Sequence, residues 1–153
     1  MALPLSGTDR RPITVAATPA VENLGALSPD SRWIAYQTTE SGRSEVVVQA
    51  FPRIGGKWQV SVGGATQPRW SADGKELYFV SGGALVASAV HATGDSFASA
   101  TPVKLFPFSS EGTPLRQRYA VSRDGRFLLF RTKESSAVAP ITLVLNWTPT
   151  LPR

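Results

Sequence analysis

The stretch LSPDSRWIAYQT, residues 27–38, decides the fold of this chain because its pattern occurs three times. It returns as WSADGKELYFVS at 70–81 and as VSRDGRFLLFRT at 121–132. The matching positions are Ser28, Ser71 and Ser122; Asp30, Asp73 and Asp124; Ser31, Gly74 and Gly125; Arg32, Lys75 and Arg126; Ile34, Leu77 and Leu128; and Tyr36, Phe79 and Phe130. The aspartates, at 30, 73 and 124, lie 43 and 51 residues apart, and periods of this size are typical of propellers and solenoids.

Each copy of the pattern is expected to form a hairpin that is followed by further strands. An Asp before Gly or Ser between two apolar runs is a hairpin signal, because the Asp side chain bonds to nearby N–H groups and Gly tolerates positive φ. A β-branched run follows at 44–51, 83–90 and 139–147, and a fourth run at 57–62 and 101–106. Four short strands per repeat are typical of a propeller blade.

The predicted fold class is therefore all-β, a β-propeller segment of three four-stranded blades. Blade one covers 22–63, blade two 66–107, and blade three 116–147, the last without its outer strand. Residues 11–18, RPITVAAT, precede the first inner strand and are predicted to be a surplus outer strand. Pro, Gly, Ser and Thr interrupt every candidate helix within about ten residues, so no long helix is expected.

The count of three blades predicts a missing partner. Propellers typically carry four to eight blades, so three blades cannot close a ring and two apolar end faces would stay open. One solution is a head-to-tail homodimer of six blades, in which the N-terminal strand completes the last blade. The alternatives are upstream blades in a longer chain and a twisted open stack of three blades.

The composition favours a turn-rich β-domain and narrows the possible partners. Of 153 residues, 42% are apolar and 18% are charged, with 13 Gly and 12 Pro. No apolar run approaches the roughly 20 residues that cross a bilayer, so no membrane insertion by this chain is expected. The net charge is +5, but the 16 basic residues are scattered, so no nucleic-acid partner is predicted. The absence of cysteine excludes disulfides, thiolate catalysis and sulfur-ligated zinc.

Three segments resemble the TolB-like, WD-like β-propeller repeats: LSPDSRWIAY, PRWSADGKELYF and YAVSRDGRFLLF. The stretch at 41–81, together with the ending APITLVLNW, is similar to the C-terminal sensor propeller of bacterial receptor-type serine/threonine protein kinases. The resemblance covers nearly all of residues 4–149. In that family a cytoplasmic kinase domain and a membrane helix precede an extracytoplasmic propeller. The resemblance therefore implies an extracytoplasmic or periplasmic binding module.

The function expected from the sequence is non-catalytic binding, as the sensor or ligand-binding part of a larger receptor-kinase-like system. The sequence contains no Gly-rich nucleotide loop, His-Arg-Asp or Asp-Phe-Gly motif, which a protein kinase needs for phosphoryl transfer. Two alternatives stay open. One is the accessory propeller of a prolyl-oligopeptidase-like peptidase, although the sequence has no Gly-x-Ser-x-Gly motif. The other is a gene fragment without independent function.

The residue types that most often carry chemistry are expected to be structural here. Asp30, Asp73 and Asp124 occur once per repeat at equivalent turns, so they cannot converge as catalytic carboxylate pairs must. His91 is the only histidine and has no clear triad or metal partner, so neither a metal nor a cofactor is predicted. The tryptophans are expected to fill the core rather than to form a ligand platform; they are Trp33, Trp58, Trp70 and Trp147.

The better ligand-binding candidates are the polar residues at the start of each inner strand. The loops before inner strands converge on the mouth of a propeller's central channel, so these side chains are expected to meet there. Their guanidinium and amide groups suit a small anionic ligand, a peptide or a protein through paired N–H donors. A solvated channel rim is the alternative. The candidates are Asn23, Gln67, Arg69, Arg116, Gln117 and Arg118, with Glu22 and Thr66 beside them.

Overall fold

The computed structural model describes residues 1–2, 11–53, 55–108 and 116–130, and every regular element within them is a β-strand. The predicted all-β class is therefore confirmed for the described part of the chain. The predicted strand at 139–147 lies outside it. The strands are β1 (Glu22–Leu27), β2 (Trp33–Thr38), β3 (Glu45–Ala50), β4 (Lys57–Gln59), β5 (Thr66–Trp70), β6 (Glu76–Ser81), β7 (Ala84–Thr93), β8 (Ser96–Ser99), β9 (Val103–Pro107), β10 (Tyr119–Val121) and β11 (Phe127–Leu129).

The first sheet is a four-stranded antiparallel meander in the order β1-β2-β3-β4. β2 pairs with β3 over its whole length, from Trp33 opposite Ala50 to Thr38 opposite Glu45. The centre of β3 is three consecutive valines, all buried, because β-branched residues suit a sheet that is covered on both faces. Strand order follows chain order, which is compatible with one blade of a propeller.

The second sheet contains β5 to β9, with β7 as its longest strand. The order β5-β6-β7 repeats that of the first sheet. β8 pairs with the far half of β7, from Val90 to Thr93, and β9 pairs with the near half, from Ala84 to Ala87. β9 overlaps the predicted fourth run, whereas β8 is not among the predicted strands. The second sheet is therefore a four-stranded antiparallel array with an added β7–β8 hairpin.

The side chains of the second sheet alternate between two cores because neighbouring strand residues point to opposite faces. Leu77 and Phe79 of β6 pack with Trp33 in the core between the first and second sheets. Tyr78 and Val80 pack in another core, which the second sheet shares with the third sheet, β10–β11. Both faces of the second sheet are thus covered, and the three sheets stack face to face.

The N-terminal segment 11–18 contains no strand in the structure. Ile13 forms an isolated bridge with Ala2, and Val15 is buried against Ile34 on the outer face of the first sheet. This packing removes apolar surface from water without a ladder of hydrogen bonds. The segment therefore covers the first sheet, and its predicted role in completing a last blade stays a prediction.

The β1–β2 and β5–β6 hairpins close with the same hydrogen-bond network. In the first, Ser28 Oγ donates to Asp30 Oδ1 at 2.6 Å and accepts from the N–H of Trp33 at 3.0 Å. In the second, Ser71 Oγ donates to Asp73 Oδ1 at 2.7 Å and accepts from the N–H five residues along at 2.9 Å. Each serine thus links the aspartate to the first residue of the returning strand, Trp33 in β2 and Glu76 in β6. The two corners therefore have the same length.

The residue after each corner aspartate has a left-handed backbone. Its φ is +58° at Ser31, +72° at Gly74 and +80° at Gly125. Glycine adopts such angles without steric strain, whereas a residue with a Cβ atom does not. The corner's side-chain hydrogen bonds come from Ser28 and Asp30. Ser31 therefore carries backbone strain that glycine would relieve.

The third hairpin, β10–β11, is one residue shorter than the other two. The N–H of Ser122 bonds to the carbonyl of Arg126, four residues along, whereas the serine of each other corner bonds to the residue five along. As a result Ala120 pairs with Leu128, although the first two hairpins predict Leu129 at that place. A one-residue change of register turns every side chain of a strand to the opposite face.

This change of register exposes two side chains that the repeat aligns with buried ones. Leu128 and Phe130 are 75% and 65% exposed. Their equivalents in the second repeat, Leu77 and Phe79, are among the most completely buried side chains of the described residues. The sequence repeat therefore predicts the position of the third corner correctly. It does not predict which side chains of the return strand are buried.

Aromatic packing provides the physical reason for the shorter third hairpin. Phe127 is turned into the core, where its ring lies 5.0 Å from that of Tyr78, 5.7 Å from that of Phe106 and 6.5 Å from that of Tyr119. The second repeat has Glu76 at the position of Phe127. Edge-to-face contacts of this kind add about 0.5–1.5 kcal/mol each beyond burial. They favour the register that buries Phe127 over the one that buries Phe130.

We expect Ser31→Gly to stabilise the protein, because glycine removes the strain at φ +58° while the corner hydrogen bonds stay in place. The expected gain is about 0.5–1 kcal/mol, and the matched substitution Gly74→Ala should lose about 1–2 kcal/mol. Urea unfolding followed by circular dichroism measures both. The added Cβ of Gly74→Ala meets Pro29 no closer than 3.4 Å, so a clash does not account for its loss. If Ser31→Gly does not raise the free energy of unfolding and Gly74→Ala does not lower it, the assignment of a left-handed residue to these corners is contradicted.

The register of the third hairpin predicts which engineered cysteine pair closes. The native sequence has no cysteine, so Ala120→Cys with Leu128→Cys provides a single pair, and these directly opposed positions lie within disulfide reach. Ala120→Cys with Leu129→Cys is the control, since its side chains point to opposite faces. Mild oxidation and mass spectrometry should find the disulfide in the first variant only. The reverse result would mean that the third hairpin has the register of the other two.

Candidate functional site

Three of the six predicted ligand-binding residues line one cavity of about 440 Å³. Arg69 reaches it from β5, and Gln117 and Arg118 reach it from the segment just before β10. Tyr119, Ala120, Leu128, Leu129 and Phe130 form the rest of its wall. We call this site, on the outer face of the third sheet, the arginine cavity.

The other three predicted residues lie elsewhere. Asn23 lines a separate cavity of about 250 Å³ beside the N-terminal segment. Arg116 is exposed and lines neither of these two cavities. Gln67 is only 1% exposed and lies beneath the arginine cavity rather than in its wall. Of the six candidates, Arg69, Gln117 and Arg118 are thus the ones that line the arginine cavity, and the predicted meeting at a channel mouth stays a prediction.

Gln67 connects the second sheet to the arginine cavity through hydrogen bonds. Its side-chain Oε1 accepts from the N–H of Arg118 at 2.7 Å. Its carbonyl oxygen accepts from Tyr119 Oη at 2.7 Å and from Gln117 Nε2 at 3.4 Å. A left-handed backbone at Gln67, with φ +61°, accompanies a bulge in β5. Gln67 therefore holds the cavity-lining segment in place.

The same bulge occurs in the first repeat, which links these inner strands to the sequence repeat. β1 has a register shift between Asn23 and Ala26, and Leu24 within it has φ +54°. Leu24 and Gln67 occupy equivalent positions relative to the corner aspartates. Bulges of this kind re-aim side chains at the edges of functional sites.

Arg69 is the first cation of the arginine cavity. Its side chain is half-buried, and Nη1 donates to the carbonyl oxygen of Pro68 at 3.3 Å. Burial lowers the pKa of Arg69, an effect that its interaction with Tyr119 partly offsets. A guanidinium group stays protonated at neutral pH even so. Arg69 has no carboxylate partner in the part of the chain that the structure describes.

Arg118 is the second cation and lies against an aromatic ring. Its Cζ is 5.4 Å from the centroid of Phe130, directly across the hairpin, because the N–H of Phe130 bonds to the carbonyl oxygen of Arg118 at 2.8 Å. Within the described residues Arg118 also has no carboxylate partner. A cation–π contact orients the guanidinium plane but leaves its N–H donors available to a ligand.

Gln117 lines the arginine cavity and is held by a hydrogen bond to Gln67. Its Nε2 donates to the carbonyl oxygen of Gln67, whereas its Oε1 is buried and has no donor in the described ranges. Asn23 Oδ1 and Thr66 Oγ1, at the equivalent positions of the other two repeats, are unpartnered in the same way. Buried polar atoms without partners are rare in native proteins, and here they occur at the same position of all three repeats.

The apolar half of the cavity was not predicted from the sequence. Leu128 and Phe130 match buried residues in the repeat, and only the shorter third hairpin turns them outward. The sequence signal that distinguishes this repeat is Phe127 at the position of Glu76. A phenylalanine favours burial more than a glutamate does, but this substitution does not by itself determine the register of the third hairpin.

The corner aspartates are held as structural acceptors. A hydrogen bond from the preceding serine lowers the pKa of Asp30, of Asp73 and of Asp124. Asp30 and Asp73 both line a cavity of about 340 Å³ between the first two corners, with Trp33 among its other walls. A carboxylate that already accepts two hydrogen bonds is a poor general base.

The tryptophans within the described residues pack in a hydrophobic core, and the histidine lies at the surface. Trp33 and Trp70 are buried in the core between the first two sheets, and Trp58 packs against them. The ring of Trp33 lies 5.4 Å from that of Trp58. His91 is exposed on β7, and Trp147 lies outside the described residues.

Among the described residues, no three His, Cys, Asp or Glu side chains are grouped as metal ligands would be. That part of the chain also contains no helix of the length and hydrophobicity needed to span a membrane.

Comparisons with protein-family models and with curated proteins find no match to this chain. The TolB-like resemblance therefore stays a prediction.

Proposed function

We propose that this chain is a non-catalytic binding module and that its ligand site is the arginine cavity. The observation that supports the proposal is a pair of guanidinium groups, of Arg69 and Arg118, that line one cavity and have no carboxylate partner among the described residues. Guanidinium groups bind carboxylates and phosphates through paired N–H donors. The ligand is an anion or the anionic end of a larger molecule.

Partial burial strengthens the preference for an anion. Electrostatic attraction increases as the surroundings become less polar, and Arg69 is half-buried. Hydrogen bonds to charged groups contribute about 1.5–3 kcal/mol each. An anion held by both arginines therefore gains more at this cavity than at exposed arginines such as Arg43 and Arg53.

The propeller architecture and a sensor role in a receptor-kinase-like system belong to the same proposal. Two observations support the architecture: the corner network shared by Ser28 and Ser71, and the stacking of antiparallel sheets around the second sheet. The sensor role and an extracytoplasmic location rest on the sequence resemblance alone.

Self-association is the competing use of the outer face of the third sheet. Leu128 and Phe130 are exposed there, and a head-to-tail homodimer of six blades would cover both. In that case the arginine cavity would lie in the interface. Sedimentation equilibrium separates the two uses: a dimer that does not bind anions would favour self-association, and a solution mass of one chain would exclude the homodimer.

The anion site predicts a specific effect of removing both arginines. Arg69→Gln with Arg118→Gln should weaken phosphate binding at least about tenfold, because the paired donors are lost. Sodium phosphate, added at constant ionic strength, is followed by ¹⁵N–¹H shifts of the cavity residues. Arg43→Gln with Arg53→Gln removes the same charge from exposed positions and should bind phosphate as the parent does. An unchanged phosphate response in the cavity variant would contradict the proposal.

A further inference from the structure

We propose that the arginine cavity binds the C-terminal residue of a peptide whose last side chain is large and apolar. This inference rests on the proposed function and deepens it. The cavity presents a cationic half, Arg69 and Arg118, and an apolar half, Leu128 and Phe130. A C-terminal residue carries the two matching groups on one carbon atom: a carboxylate and a side chain.

The cationic half recognises the carboxylate. Arg69 reaches the cavity from the second sheet and Arg118 from the segment just before β10, so the two side chains come from different parts of the chain. Carboxylates accept planar, paired hydrogen bonds from such groups. The backbone of Arg118 is held by Gln67 Oε1 at 2.7 Å, and its guanidinium lies 5.4 Å from the centre of the Phe130 ring. This cation is therefore positioned before a ligand arrives.

The apolar half distinguishes a peptide end from an inorganic anion. Leu128 and Phe130 are 75% and 65% exposed, directly beside the two arginines. Burial of apolar surface by an apolar side chain is favourable, whereas phosphate has no group that covers these residues. The volume of about 440 Å³ is within the usual range for small ligands, so it suits the end of a peptide rather than a long segment.

Gln117 is a fixed part of the cavity wall. Its Nε2 donates to the carbonyl oxygen of Gln67, and its Oε1 is buried and has no donor among the described residues. Capture of a C-terminal carboxylate by fixed N–H donors is a known mode of peptide recognition. The carboxylate and the apolar side chain of the ligand thus each have a partner in one cavity.

The experiment compares three peptides on the full chain by calorimetry: acetyl-Gly-Gly-Phe with a free carboxylate, the same peptide as its C-terminal amide, and acetyl-Gly-Gly-Gly with a free carboxylate. We expect the first to bind at least about tenfold more tightly than each of the others. In Leu128→Ser with Phe130→Ser the Phe peptide should bind no more tightly than the Gly peptide, because the apolar half of the cavity is removed. Val62→Ser with Val103→Ser, also at exposed apolar positions, is the matched control.

The outcomes separate this inference from the proposed function. If phosphate binds through the arginines but the Phe peptide binds no more tightly than the Gly peptide or the amide, the peptide-end inference is overturned and the anion site stands. If neither phosphate nor any peptide binds, both fall. Loss of the Phe advantage in the Val62 and Val103 control would also overturn it, because the effect would then not be local to the cavity.

Discussion

The alternation of side chains along each strand is the constraint on which the rest of this structure depends. Because successive residues point to opposite faces, the register of a hairpin decides which of two apolar sets is buried. In β6, Leu77 and Phe79 pack toward the first sheet, and Tyr78 packs toward the third. Every strand with two covered faces is subject to the same constraint. A difference of one residue at a corner therefore changes which set of side chains lies on each face of the strand.

One serine closes each corner. In the first two hairpins Ser28 and Ser71 each donate to an aspartate and accept from the N–H five residues along. In the third, Ser122 bonds to Asp124 and accepts from the N–H of Arg126, four residues along. The same residue types therefore close hairpins of two lengths. In the two longer hairpins, the alternate side chains that begin at Ile34 and at Leu77 are buried. In the hairpin that is shorter by one residue, the equivalent side chains, Leu128 and Phe130, are exposed.

The candidate site is a consequence of that difference. Gln67, at a bulge in β5, holds the backbone of Arg118, and the shorter corner places Phe130 beside the guanidinium of that residue. Arg69 comes from the second sheet, whereas Gln117, Arg118 and the apolar wall belong to the third hairpin and the segment just before it. Arg69, Gln117 and Arg118 were predictable as a polar group at the starts of inner strands. Leu128 and Phe130 were not, because the repeat aligns them with buried residues.

The sequence alone determined the all-β class, the positions of the three corners and the role of their aspartates. These follow from local chemistry, since a serine, an aspartate and a residue that tolerates positive φ form a turn with little help from the rest of the chain. Only the tertiary structure decided the register of the third hairpin and the exposure of Leu128 and Phe130. Both depend on which distant side chains compete for burial, as Tyr78 and Phe106 do around Phe127, and no local pattern encodes that competition.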